Sequence, residues 1–175
     1  MRASALAFLF LSVPAAAQWS GWDYENDRPK EQWKEELEIN LPAFPQDENL
    51  LQFEAGSASP NRFFIDTKSM SIGKDAVIRY TLVVKTAGGA TNVSYEGMRC
   101  GIREIKVYAV GGKAGNWMRA RDPQWRRIAN RDISHYHSVL RGDYFCTGGK
   151  GYVPVASVEE ALRLLRYGPR ERYAQ

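Results

Sequence analysis

Alternation of side chains in the middle of the chain constrains the fold most strongly. In AVIRYTLVVK, residues 76–85, every second position belongs to an apolar set, which comprises Ala76, Ile78, Tyr80, Leu82 and Val84. Successive side chains of a strand point to opposite faces of its sheet, so a sequence period of two is typical of β-structure. This segment is therefore predicted to be a half-buried β-strand.

Shorter segments on both sides carry the same signal. NLLQF and RFFID are predicted strands, and KSMSIGKD after them is predicted to be a polar turn around Gly73. TAGGAT is a glycine-bearing hairpin connection. The remaining predicted strands are NVSYEGMRC, REIKVYAV with Ile105, Val107 and Ala109 on one face, a candidate hairpin of NWMRA and QWRRI, and a brief strand YFC. Consecutive strands with short connections predict a twisted antiparallel meander of five to seven strands.

Three short helices are predicted beside the meander. The first covers about 30–39, where charged side chains are spaced for pairs along a helix, namely Glu31, Lys34, Glu35 and Glu38. The second lies around RDISHYHSVL. The third begins at Ser157, which forms a capping box with Glu160, and ends at Gly168; its apolar face is Val158, Ala161, Leu162 and Leu165. The predicted fold class is α+β, a single domain with a meander flanked by short helices.

The first residues predict export. Arg2, an apolar run from Ala5 to Val13, and the small residues 15–17 form the pattern of a secretory signal, with cleavage after Ala17. The apolar run is too short for a membrane anchor, which needs about 20 residues. We therefore expect a signal peptide at 1–17, an acidic arm at 18–60, a body at 61–175, no membrane span in the mature chain, and a periplasmic location, with surface exposure as the alternative.

Charge divides the chain unevenly. Residues 18–60 hold ten acidic and three basic residues, a net charge of −7, whereas residues 61–175 hold ten acidic and twenty basic residues, a net charge of +10. Either the arm stays apart as an acidic tail from a basic binding body, or it lies against the body and neutralises part of it. Trp19, Trp22 and Trp33 are expected to dock the arm on the body.

Two cysteines remain, Cys100 and Cys146. In an oxidising compartment an isolated pair most simply forms a disulfide. The alternative, a redox or nucleophilic pair, lacks a C-x-x-C spacing and a neighbouring histidine.

Motifs of catalysis are absent from the sequence, which has no G-x-S-x-G, no H-E-x-x-H and no phosphate-binding loop. His135 and His137 are the candidate metal ligands, but no Cys or carboxylate cluster surrounds them in sequence, so a structural role is favoured. Carboxylates that could form an acid–base pair are scattered over predicted strands and turns: Asp66, Asp75, Glu96 and Glu104. No catalytic residue and no cofactor is assigned.

The most suggestive stretch for binding is NWMRARDPQWRRIANR. It combines Trp117 and Trp125 with five arginines, Arg119, Arg121, Arg126, Arg127 and Arg131. Guanidinium groups and flat aromatic rings together suit anionic polymers, phosphates or sugars. The alternative is a hairpin whose tryptophans are buried and whose arginines are solvated or pair with the acidic arm.

The order of these segments resembles the CNP-like domain family. The residues that carry the resemblance are FFIDTKSMSIGKDAVIRYTLVV, GATNVSYEGMRC, EIKVYAVG and NWMRARDPQWRRI, with LPAFPQDENLLQF upstream, and they cover roughly residues 20–150. The resemblance implies a small exported protein of Gram-negative bacteria. A looser architectural likeness to the surface-adhesin protein E family implies binding of host matrix proteins or haem, without a motif that can be assigned to residues here.

We therefore expect a non-catalytic exported binding or structural module with a basic Arg/Trp face. Its expected partner is an anionic polymer of the cell envelope or another envelope protein, and not nucleic acid. The alternatives are an adhesin-like surface protein and an enzyme whose site is not readable from the sequence.

Overall fold

The computed structural model describes residues 33–36, 38–55, 59–128, 135–147 and 153–168. The predicted signal peptide, Trp19 and Trp22 lie outside these residues. Within them, no helix is long and apolar enough to cross a membrane.

The fold is built on a seven-stranded antiparallel sheet, in which six strands follow one another in chain order and the first comes from the predicted acidic arm. Its strands are β1 (Leu50–Phe53), β2 (Arg62–Ile72), β3 (Ile78–Lys85), β4 (Thr91–Arg99), β5 (Glu104–Gly111), β6 (Trp117–Arg119) and β7 (Arg126–Arg127). The predicted meander is confirmed, and so is the hairpin between β3 and β4, where Gly89 adopts a positive φ of 86°. A second, two-stranded sheet pairs β8 (Cys146–Thr147) with β9 (Val153–Pro154).

Strand β2 is longer than the sequence pattern predicts. KSMSIGKD was predicted to be a turn, but the strand continues through it to Ile72. The pattern is obscured by a bulge between Asp66 and Ser71, where the register with β3 shifts. Asp66 holds the bulge by accepting a hydrogen bond from the Lys68 backbone N–H at 3.1 Å, so its role is local and structural.

Strand β3 is buried on both faces, so the prediction of a half-buried strand is wrong. Ile78 to Val83 are all buried, including Arg79 and Thr81 in the predicted solvent-facing set. One face carries the main core, in which Tyr80 packs on Phe145 with ring centroids 4.9 Å apart. The other face is covered by residues N-terminal to the sheet.

Two helices and the disulfide complete the main core. Helix α1 (His135–Val139) continues into a π-helical turn at Leu140–Phe145, and α2 (Val158–Tyr167) packs with the turn and with β1 and β2. Ser157 accepts a hydrogen bond from the Glu160 N–H, as predicted for its cap. Tyr144 and Phe145 belong to the π-helical turn, so the predicted strand YFC begins only at Cys146 and joins the small sheet. The Cys100–Cys146 disulfide is confirmed, with Cα atoms 5.6 Å apart.

The edge of the sheet beyond β5 is divided between two short strands. β6 pairs with Ala109–Gly111 of β5, and β7 pairs with Glu104 and Ile105. NWMRA and QWRRI therefore do not form the predicted hairpin with each other; both pair with β5. The register between β4 and β5 also shifts, between Tyr95 and Glu96. Ile105 therefore belongs to the main core, whereas Ala109, predicted on the same face, packs with Tyr95 and Tyr108.

Candidate ligand-binding face

An extended segment crosses the face of the sheet opposite the helices; we call its described residues, 33–36 and 38–46, the arm segment. Its side chains Ile39 and Leu41 pack on the small cluster of Tyr95, Tyr108 and Ala109. Trp117 fixes its far end by donating an indole hydrogen bond to the Pro42 carbonyl at 2.9 Å. No helix forms between residues 33 and 36 or 38 and 46, so the predicted helix at 30–39 is wrong where the structure describes it.

The arm segment is extended because its acidic side chains bond to the sheet. Glu35 accepts from Lys106 Nζ at 2.9 Å, from the Tyr108 hydroxyl at 3.0 Å and from the Trp125 indole at 3.2 Å. Local i,i+4 pairs stabilise an isolated helix by only about 0.2–0.5 kcal/mol, less than one charge-assisted hydrogen bond contributes. The described part of the acidic region therefore lies against the basic residues of the sheet and neutralises some of them, and is not a separate acidic tail.

A buried ion pair lies beneath the start of the arm segment. Asp75 binds the guanidinium of Arg79 through both oxygens, at 3.1 and 2.6 Å, and accepts the backbone N–H groups of Glu36 and Val77. Burial would raise the pKa of Asp75, but these hydrogen bonds and the charge of Arg79 outweigh it and lower that pKa. Glu36 adds a second carboxylate 3.2 Å from Arg79.

Two tryptophan rings lie against a second cation, Arg99, beside this pair. The Arg99 guanidinium carbon lies 3.7 Å from the ring centroid of Trp33 and 5.2 Å from that of Trp125. The two indoles meet edge to face at 5.9 Å, and Trp33 donates a hydrogen bond to the Asp75 carbonyl at 2.7 Å. Trp33 therefore docks the arm segment, as predicted.

The predicted Arg/Trp stretch divides into two roles. Trp117 and Trp125 are half-buried and hold the arm segment, whereas Arg119, Arg121, Arg126 and Arg127 are exposed. We call these four arginines the basic edge, because they lie on or between β6 and β7 at one side of the sheet. Among the described residues, none of the four forms an ion pair. Arg131 lies outside the described residues.

Two small clefts open where the arm segment meets the sheet. One, of about 310 Å³, lies next to the basic edge and is lined by Glu35, Glu36, Ile39, Lys106, Tyr108, Arg119, Ala120 and Pro123. Burial raises the pKa of Tyr108 well above its usual value, so its phenol stays neutral and donates its O–H to Glu35. The other cleft, of about 210 Å³, lies by Trp33, Arg99 and the exposed Ile102.

The candidate metal ligand His137 is part of the interior on the helix side of the sheet. Its Nε2 lies 2.7 Å from a carboxylate oxygen of the buried Glu96, which also accepts from Tyr80 at 3.0 Å and Ser94 at 2.6 Å. Burial would raise the pKa of Glu96, but His137 and these hydrogen bonds lower it. His135 begins α1 two residues earlier, and no group of three metal-ligating side chains occurs among the described residues.

Sequence reasoning placed the arginines and the cysteines but not these polar clusters. In the sequence Asp75 and Glu96 are only scattered carboxylates, yet each is the centre of a buried hydrogen-bonded group in the structure. The available signal was the charge itself, since Arg79 lies between Ile78 and Tyr80 in β3, and Glu96 follows Tyr95 in β4. A charged residue there needs a partner, because an unpaired buried charge is costly.

Comparison with known protein families gives one match. The sequence model of the CNP1-like family matches residues 28–166, which include the arm segment, the whole seven-stranded sheet and nearly all of the last helix. No curated protein and no solved structure matches the chain.

Proposed function

The chain belongs to the CNP1-like family, and from this premise we propose that it is an exported envelope protein that binds an anionic cell-envelope polymer through the basic edge. The observation that carries the proposal is the lack of ion-pair partners for Arg119, Arg121, Arg126 and Arg127 among the described residues, although the acids of the arm segment lie nearby. Those acids bind Arg79 and Lys106 instead. The arm segment neutralises the sheet face and leaves the edge free to bind.

The shape of the edge suits a polymer better than a small ligand. The two strands β6 and β7 lie end to end along β5, so the four exposed arginines follow one edge of the sheet, with Arg126 and Arg127 on opposite faces of it. Guanidinium groups bind carboxylates and phosphates with two parallel hydrogen bonds. A repeating anionic chain could meet several of them at once, which multiplies weak single contacts.

A binding role, and not catalysis, is proposed because the two buried carboxylates described above, Asp75 and Glu96, are bonded within the protein. Glu96 and His137 are buried and bonded to each other, and Asp75 uses its carboxylate on Arg79 and two backbone N–H groups. Neither carboxylate lines the cleft beside the basic edge. A general acid or base must reach its substrate within hydrogen-bond distance.

The test is co-sedimentation of the mature protein, residues 18–175, with purified peptidoglycan and, separately, with lipopolysaccharide over a salt series. The edge variant carries Arg119→Ala, Arg126→Ala and Arg127→Ala. The control variant carries Arg62→Ala, Lys68→Ala and Lys74→Ala, which removes three exposed charges from β2 and the turn that follows it. We expect wild type and control to bind one polymer, with binding weakened by salt, because screening weakens exposed ionic contacts. Binding by the edge variant equal to wild type, or no binding at low salt, would refute the proposal.

A further inference from the structure

The cleft beside the basic edge has walls from two separate parts of the chain. Glu35, Glu36 and Ile39 come from the arm segment, and Lys106, Tyr108 and Arg119 come from the sheet. Its volume of about 310 Å³ is at the lower end of the range for ligand pockets, about 300–1,000 Å³. It therefore suits a small group and not a folded partner.

The cations of the cleft have hydrogen-bond donors to spare. Lys106 has three N–H donors, and among the described residues its ammonium meets one acceptor, Glu35. Arg119 has five, and its single side-chain hydrogen bond among the same residues is to the Ile39 carbonyl at 3.4 Å. Because both cations line this cleft, their remaining donors are available to a carboxylate or phosphate oxygen.

Two glutamates that line the cleft, Glu35 and Glu36, determine which kind of anion it favours. The Glu36 side chain is 40% exposed, and its oxygens accept from the Lys74 N–H and from Arg79. A carboxylate has about four acceptor positions, so Glu36 can take further donors. A doubly charged phosphate would meet the like charges of Glu35 and Glu36, whereas an ammonium group beside the ligand's own anion would be attracted to them.

We propose that this cleft binds a short zwitterionic peptide, with its terminal carboxylate on Arg119 and Lys106 and its ammonium on Glu36. The short aliphatic surfaces of Ile39, Ala120 and Pro123 line the same cleft and suit a small side chain such as that of alanine. The inference rests on the proposed function and makes it more specific. It favours peptidoglycan, whose short peptides carry free carboxylate and ammonium groups, over lipopolysaccharide phosphates.

Isothermal titration calorimetry tests the assignment with four probes: alanyl-alanine, its N-acetylated form, its C-terminal amide, and inorganic phosphate. We expect alanyl-alanine to bind and each capped form to bind about tenfold more weakly, because each cap removes a charge-assisted hydrogen bond. Phosphate that binds as tightly as alanyl-alanine would overturn the assignment and indicate a general anion site. Absence of saturable alanyl-alanine binding at millimolar concentration would also overturn it.

Matched variants locate the binding. Arg119→Gln should weaken alanyl-alanine binding about tenfold, and Arg62→Gln should leave it unchanged, because Arg62 is exposed on β2 and neither lines the cleft nor belongs to the basic edge. Equal affinities for the two variants would overturn the assignment. If the dipeptide does not bind but the polymer still binds through the basic edge, only this inference is refuted. Dipeptide binding without polymer binding removes only the proposed function.

Discussion

Substitution of Asp75 by Asn tests whether the arm segment is held by a buried charge. The change keeps the size of the side chain and removes its charge. Arg79 is then left buried, with Glu36 as its remaining acidic contact at 3.2 Å. Removing one partner of a buried ion pair costs about 3–5 kcal/mol. Because Glu36 persists, we expect the lower end, a decrease of about 3 kcal/mol in the free energy of unfolding.

Urea unfolding followed by tryptophan fluorescence measures this change. Exposed ion pairs contribute only about 0–1 kcal/mol, so the size of the effect separates a buried pair from a surface one. The double variant Asp75→Asn, Arg79→Met serves as the control, because it removes the unpaired charge and should be more stable than Asp75→Asn alone. A cost below about 1 kcal/mol for Asp75→Asn, or a double variant less stable than the single one, would refute the reasoning.

Three further predictions follow from the interior. Glu96 and Asp75 have lowered pKa values in the folded protein, so their contribution to stability is present above their usual pKa values of 4.5 and 3.8 and is lost as the pH falls below them. Urea unfolding at decreasing pH should show this loss. Glu96→Gln should make the free energy of unfolding fall less steeply with pH. Gly73→Ala should destabilise the protein by about 1–3 kcal/mol, because a Cβ there would overlap Arg79 and Asp75, whereas Gly88→Ala, with its nearest atom 4.0 Å away, should have little effect in the same assay. Replacing both Cys100 and Cys146 by Ala should lower the free energy of unfolding by about 4 kcal/mol, because the disulfide closes a loop with a sequence separation of 46; an unchanged urea midpoint would contradict this estimate.

Local pattern was enough to predict the meander, the disulfide and the last helix. Each depends on near neighbours or on a single pairing: the alternation in β3, the two cysteines, and Ser157 with Glu160 three residues later. Bulges were not predictable in this way, because the shift between Asp66 and Ser71 breaks the alternation on which the strand assignment relies. The turn predicted there was wrong for that reason.

The arm segment shows why the rest could not be predicted. Its acidic residues have helix-like spacing, yet their partners lie far along the chain, with Glu35 and Lys106 separated by 71 positions. Long-range pairs of this kind leave no periodic signal in a single sequence. The same contacts bury the second face of β3 and leave Arg121, Arg126 and Arg127 exposed, so the candidate site depends on where the arm segment lies.

The most direct test of the central claim compares two variants that lose the same number of positive charges. The edge variant lacks Arg119, Arg126 and Arg127, and the control lacks Arg62, Lys68 and Lys74; the measurement is the fraction of each bound to peptidoglycan at low salt. We expect the control to bind like wild type and the edge variant to lose most of its binding. Equal loss in both variants would show that net charge, and not the basic edge, determines binding, and would contradict the account.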